Sequence, residues 1–225
     1  MILSFWTLLS SDLIQGLYWT IEMVVVSIPL SVIVGAVLAT ARVYGNKPVS
    51  LIAGGIVGTF RGVSLFVTLL FIFFALPEVG IYLDSFWSAV LAFTLVSGAY
   101  HSEYIRGAIQ SIDVGQSLAA QSLGFTKLNE ITHIVLPQAF RRALPGMSNE
   151  CIYLILNSSL ASYIGVNEIF TNALVINSIF FRPIETFGTA ALLYAAMTTI
   201  TAAGLRVLEG KIRLPGLEAE HWTYR

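Results

Sequence analysis

Asn149, Glu150, Asn157, Ser158, Ser159 and Ser162 make the apolar run at about residues 145–167 the most polar in the chain. Glu150 and Asn157 are seven residues apart, close to two helical turns, so on a helix they share a face with Asn149 beside them. A carboxylate and two amides in one stripe can charge-pair and hydrogen-bond a small polar solute. Left in lipid they would cost several kcal/mol, so the stripe must face protein or water. A shared interface and a substrate path both satisfy that condition. The three serines also suit a silent role, bonding back to helix carbonyls. Arg61, deep in a second apolar run and beside Gly62, either pairs with a carboxylate or marks a break where backbone faces a path. Glu22 fits an interfacial position near the outer headgroups or, as the alternative, a place in a pore.

Equally informative is the chemistry that is missing. No Gly-x-x-x-x-Gly-Lys-[Ser/Thr] loop exists to cradle phosphates; Gly210-Lys211 is followed by Ile212, with no upstream glycine in register. His101, His133 and His221 lie far apart, and the single Cys151 can form no internal disulfide. No metal site is expected. His101 and Glu103, two residues apart, point to different faces of a helix. With no nucleophile–base pair either, the chain is not expected to be an enzyme.

The elements that must position these residues are membrane spans. Of 225 residues, 56% are hydrophobic and 11% charged, and the mean hydropathy is +0.79. Soluble domains carry about 25% charged residues. Such a composition excludes a disordered chain, a nucleic-acid binder and a disulfide-stapled secreted module. Five stretches reach the roughly 20 apolar residues that a crossing needs: about 15–40, 51–76, 86–108, 145–167 and 186–208. Gly45-Asn46-Lys47-Pro48, Pro77-Glu78-Val79-Gly80 and Arg182-Pro183 punctuate them. Gly54, Gly58 and Gly62 form a ridge that suits close helix packing. Residues 1–225 read as one transmembrane domain without internal repeats. Met1–Trp6 lack a basic segment and a small-residue cleavage site, so a removable signal peptide is not expected.

Ten basic residues fall on one side: Arg42, Lys47, Arg106, Lys127, Arg141, Arg142, Arg206, Lys211, Arg213 and Arg225. Only Arg182 falls on the other, with Arg61 inside a span. This bias places the N-terminus outside and the C-terminus in the cytoplasm, as an odd number of spans requires.

The longest polar insertion, about residues 109–144, then lies in the cytoplasm. Asp113 is placed to cap a helix whose third residue is Gln116. Leu118, Ala119, Ala120 and Leu123 follow as an apolar stripe, and Gly124 suits a helix C-cap. A second helical stretch is predicted from Thr126 to just before Leu136-Pro137. A short capped helix here is either a surface helix or a knob that a partner grips by its Leu/Ala face.

Leu118-Ala119-Ala120, three residues, Gly124, nine residues, then Ile134-Val135-Leu136-Pro137 matches a known spacing. It resembles the Glu-Ala-Ala loop of ATP-binding-cassette (ABC) importer permeases. Ser102-Glu103-Tyr104-Ile105-Arg106-Gly107, Gly115-Gln116, Leu136-Pro137-Gln138-Ala139, Arg61-Gly62, Asn149, Ser159-Leu160 and Arg182-Pro183 resemble the polar amino acid uptake subfamily. The resemblance covers about residues 15–210. It implies an all-α integral membrane subunit of the type I importer fold, with a cytoplasmic coupling helix. Two ATPase subunits would bind below it, a second permease chain beside it, and an external amino-acid-binding protein above, at loops that include Glu78, Asp84, Arg182 and Glu185. This chain would carry no cofactor, ATP and magnesium belonging to the ATPase. The prokaryotic cytoplasmic membrane is the implied location.

The resemblance assigns coupling to Gly115, Gln116, Leu118, Ala119, Ala120, Gly124, Leu136 and Pro137. The substrate path is expected at Arg61, Ser64, Asn149, Glu150, Asn157, Ser158 and Ser159. Three departures stand out. Leu118 replaces the motif's Glu, Val63-Ser64 replaces Thr-Pro, and Leu156 replaces a Lys. The rival class is an ion-gradient-driven transporter or channel, for which inverted repeats and matched helix breaks would be expected.

Overall fold

A computed structural model describes residues 2–212, with side chains from Phe5 onward. Arg213, Arg225 and His221 lie outside the described residues, which are otherwise helices and short connections.

Helix α1 (Ile2–Tyr44) is 43 residues long, or about 64 Å at 1.5 Å per residue, twice a hydrocarbon core. It therefore starts well before the predicted boundary at residue 15. Asn46 caps α2 (Lys47–Gly62), its side chain accepting from Val49 N. Extended backbone at Val63 and Ser64 then bends the chain by 105° into α3 (Leu65–Ala75). The predicted second span is thus broken at its middle. Its two halves run in different directions: α2 crosses from the end of α1 to α4, and α3 packs along α4. Gly80 (φ +85) closes the short turn at Pro77–Val79, and Asp84 caps α4 (Ser85–Gln110) by accepting from Trp87 N at 2.8 Å.

α5 (Val114–Ser122) and α6 (Lys127–Glu130) form the polar insertion. The predicted stop before Leu136-Pro137 does not occur. A π turn over Ile131–Val135 carries the chain straight into α7 (Leu136–Asn157). Pro137 has no N–H for the His133 carbonyl, and Leu136 N donates five residues back to Ile131 O. The proline widens the helix instead of ending it.

At its far end α7 tightens into a 3-10 segment, Ser158–Ile164, closed by Gly165 at φ +83. Residues 168–185, predicted as a loop, hold α8 (Ile169–Phe180). Twelve residues are too few to cross a bilayer, so α8 gives no span signal in sequence. The chain returns through α9 (Pro183–Ile212). α1 and α9 are each long and apolar enough to cross a membrane, and the bent α2/α3 pair is by composition a third candidate.

Three apolar clusters stack along the bundle. One joins Ala39 and Ile105 to Val135, Ala139 and Met147 at the basic end. The middle one joins Met23, Leu69 and Phe93 to Leu154 and Ile155 on α7. The third seats Phe5, Leu9 and Leu13 against Ile169, Ala173 and Ile176. Close approach of α1 and α4 depends on Gly35, where a Cβ would lie 2.6 Å from the His101 Cβ. The ridge of Gly54, Gly58 and Gly62 is different. Nothing in the described chain approaches Gly58 or Gly62, and Gly54 meets only Arg42 Nε, so the ridge is not an intrachain contact. Val25, Ile33, Val37, Phe71, Phe74, Leu192 and Ile200 are all exposed, an apolar belt suited to lipid.

Candidate functional site

The α2/α3 bend opens a cavity of about 490 Å³ in the bundle. Arg61, Gly62, Val63, Ser64 and Leu65 form one wall. Phe93, Val96, Ser97, Tyr100 and Tyr104 line it from one face of α4, and Glu150, Tyr153, Leu154 and Asn157 from one face of α7. Both sets follow the three-to-four-residue spacing of a helix face. Of the predicted path residues, Arg61, Ser64, Glu150 and Asn157 meet here. Asn149 is exposed on another face of α7. Ser158 and Ser159 spend their hydroxyls on the carbonyls of Ile155 and Leu156.

Glu150 is only 8% exposed and makes no ion pair among the described residues; Ser97 on α4 hydrogen-bonds with its carboxylate. Arg142, earlier on this helix, donates to the Ser111 carbonyl and hydroxyl. Across the cavity, the Arg61 guanidinium lies 5.4 Å from the Tyr100 ring centroid and 3.4 Å from Glu103 Oε1. Both sequence alternatives for Arg61 therefore hold: it pairs with a carboxylate, and it sits at a break. Glu103 is the hub, since Arg42 (2.5 Å) and Arg106 (2.7 Å) also donate to it. The cavity thus presents one buried acid, one guanidinium, an amide and three phenol rings. It can hold a small solute carrying both charges, with aromatic faces around its body.

The second region is the insertion. The Asp113 carboxylate accepts from Gly115 N at 2.6 Å, and a Cβ at Gly115 would sit 2.8 Å from that oxygen. At the other end, Gly124 takes φ +82, while Phe125 N donates to Ala120 O and Gly124 N to Gln121 O. Both caps agree with the sequence reading. The stripe does not stay whole. Ala120 is buried against the loop's own body, whereas Leu118 is 58% exposed, with Gly115, Gln116 and Ala119 exposed beside it. Leu136 packs on the basic-end cluster, and Pro137 stands exposed in the first turn of α7.

A buried acid locks this loop. Glu130 accepts from Lys127 Nζ (2.7 Å) and Gln121 Nε2 (3.1 Å). Those bonds, with one from Ser117, hold its carboxyl down at about 2. Lys127 also lies over the Tyr44 ring, tying the loop to the end of α1.

At the opposite end of the bundle Glu78 and Asp84 are exposed, and Arg182 lies 3.8 Å from Glu185 and over the Phe5 ring. The expected path omitted Glu103, although the resemblance to the subfamily contains it, and omitted Ser97 and the three tyrosines of the cavity. Tyr100 and Tyr104, one turn apart and in register with Ser97, were the available signal.

Comparison with known proteins gives a consistent picture. A family model described as the binding-protein-dependent transport system inner membrane component matches residues 27–214. The chain is 40% identical over 170 residues to the L-cystine transport system permease protein of Bacillus subtilis (strain 168), covering 76% of this chain and 71% of that protein. It is 37% identical over 201 residues to that organism's probable glutamine ABC transporter permease protein, covering 87% and 91%. A solved structure titled as an amino acid ABC transporter with histidines is 31% identical, with TM-score 0.81 over 90% of this chain and 94% of that one. An inward-facing methionine ABC transporter is 18% identical with TM-score 0.77 over 90% and 96%, a likeness of fold alone.

Proposed function

The chain belongs to the binding-protein-dependent transport system inner membrane component family, and from that premise we propose how its residues divide the work of a polar amino acid importer. It is the transmembrane permease subunit of an ABC importer, an inner-membrane transport subunit and not an enzyme. Membership in this family sets aside the ion-gradient-driven transporter or channel.

The observation that carries the division of labour is the polar cavity of Arg61, Glu150 and Asn157, set above a capped helix with an exposed apolar face. In this proposal the amino acid passes through the cavity. Glu150 receives its ammonium group or a cationic side chain, Arg61 its carboxylate, and Asn157 and Ser64 its remaining polar atoms. Leu156, where a lysine is usual, is exposed on α7 outside the cavity lining, so the lean toward a cationic side chain rests on Glu150. The cation-binding role of Glu150 is supported by its burial without an ionic partner among the described residues.

Energy enters from below. ATP and magnesium bind to two partner ATPase subunits, which grip α5 through Leu118 and Ala119, with Gly115, Gln116 and Gly124 shaping the helix and Ala120, Leu136 and Pro137 holding it to the bundle. Closure of the ATPase pair pushes both coupling helices, on this chain and a second permease chain, and switches access to the cavity. Five crossings, an external N-terminus and a cytoplasmic C-terminus complete the arrangement. An external binding protein delivers substrate near Glu78, Asp84, Arg182 and Glu185.

The test is Leu118→Asp in the complete transporter reconstituted in vesicles. Burying a carboxylate in an apolar groove is costly. ATP-driven uptake should fall by about tenfold or more while the chain still inserts. Unchanged uptake would overturn the assignment of α5 as the coupling element.

A further inference from the structure

The ion cluster at the basic end is out of balance. Arg42, Arg61 and Arg106 share one carboxylate, Glu103, and Lys47 has no ion pair among the described residues. Four cations against one anion leave a local excess of positive charge. It is not deep in the protein. The Arg42 and Arg106 side chains are 20% and 30% exposed, and beside Arg42 a groove of about 670 Å³ opens between the end of α1 and the first half of α2.

That groove is lined by Arg42, Gly45, Lys47, Ser50, Leu51 and Gly54–Gly55. Its shape follows from the helix that makes it. The Ser50 hydroxyl donates to the Arg42 carbonyl at the end of α1, and Arg61, eleven residues on, reaches the same Glu103 that Arg42 holds. These contacts tie α2 to the Arg42–Glu103 corner, and the 105° bend sets it across the direction of α3. Ala53 and Val57 face inward, while Val49, Leu51, Ile52 and Ile56 are exposed on the outer face. Gly54 and Gly55 keep the floor low, since no side chain stands there; a Cβ on Gly54 would meet only Arg42 Nε, at 3.8 Å. The groove thus has cations at one end and bare apolar side chains alongside.

Charge and apolarity in that order describe a glycerophospholipid seen from the protein. We propose that the α1/α2 groove binds an anionic phospholipid of the cytoplasmic leaflet, its phosphate between Arg42 and Lys47 and its acyl chains along Leu51 and Ile52. Basic clusters at the cytoplasmic end of membrane helices select anionic headgroups, and an amphipathic helix lying across that level adds apolar contact. A bound phosphate supplies the negative charge that Glu103 alone does not. The lipid holds α2, and through the Gly62–Ser64 bend it holds the cavity wall that contains Arg61.

The experiment uses the complete transporter in nanodiscs of phosphatidylcholine with a graded fraction of phosphatidylglycerol. Lipid retained through detergent extraction is counted by mass spectrometry. The wild type should keep phosphatidylglycerol in preference to phosphatidylcholine. Lys47→Gln, a surface change, should lower that preference about fivefold, the effect of one basic charge at a membrane surface. Gly55→Leu, which fills the floor without touching charge, should lower it as well. Equal retention of the two lipids, or a preference that neither variant changes, would overturn the proposal. Loss of the lipid on adding millimolar inorganic phosphate would assign the groove to a free anion instead. If Lys47→Gln released the ATPase subunit with lipid retention unchanged, the groove would be a protein contact and the lipid site would be refuted.

Discussion

Two buried acids on the returning arm of the bundle sit in opposite circumstances. Glu168, fully buried, caps α8 and accepts from Phe170 N (2.8 Å), Thr171 N (2.6 Å), the Thr171 hydroxyl (3.0 Å) and the Tyr194 hydroxyl (2.5 Å). Glu150, almost as buried, has Ser97 and an open cavity. The first carboxylate has its lone pairs filled by its own chain, across the turn between α7 and α8 and over to α9. The second keeps bonding capacity free. A saturated buried charge is structure; an unsaturated one facing a cavity is a place for a ligand.

The largest expected effect comes from breaking the saturated site. Glu168→Ala leaves two backbone N–H groups and the Tyr194 hydroxyl without their acceptor, while the Thr171 hydroxyl keeps the Val166 carbonyl, and it removes the α8 cap. Each orphaned buried group costs about 1–3 kcal/mol, and a lost cap about 1 kcal/mol. The variant should lose about 3 kcal/mol or more, seen as a large fall in the melting temperature of the purified complex and low membrane abundance. Wild-type stability in this variant would mean that Glu168 is not the pin between α8 and α9.

The free acid should behave in the reverse way. Glu150→Gln and Asn157→Ala each remove hydrogen bonds to a charged solute, worth roughly 1.5–3 kcal/mol, or about ten- to a hundredfold in apparent affinity. Melting temperature and basal ATP hydrolysis of the complex should stay near wild type. Titration of uptake against substrate concentration separates the outcomes. If both variants transport with unchanged apparent affinity, the α7 stripe is an interface and the comparison with Glu168 fails.

How much of this contrast was legible in sequence depends on the range of each interaction. The α5 caps were readable because Asp113 and Gly124 act within a few residues of their partners. The interruption at Arg61-Gly62 left a trace, but the 105° bend did not, since it depends on where α2 finds α1 and α4. Glu103 and Arg42 are 61 residues apart, and no local pattern announces that three arginines converge on one acid. The run at about residues 145–167 showed its polar stripe, yet which members point into the cavity was settled by the rotation of α7 against α4. Asn149 and Glu150 are neighbours in sequence and end on different surfaces. α8 escaped because a twelve-residue apolar helix after a glycine turn looks like a loop to any argument based on crossing length.

A third buried acid sharpens the comparison at the smallest scale. Glu130 resembles Glu168 in being saturated, but its partners Lys127, Gln121 and Ser117 belong to the α5–α6 loop. Its folded carboxyl titrates at about 2, below the ordinary value of 4.5. A lowered folded value means that the stabilisation is fully present above the ordinary carboxylate range. It is lost as pH falls from about 4.5 toward about 2, where the folded group itself takes a proton. Over that window the α5–α6 loop should loosen, with hydrogen exchange at Ser117–Glu130 rising relative to α4. Glu130→Gln should exchange faster already at neutral pH and show less additional loosening on acidification, because the amide has no charge to lose. A wild type and variant with the same pH dependence would place the loop's stability in its apolar contacts, leaving Glu168 as the saturated acid on which the fold depends.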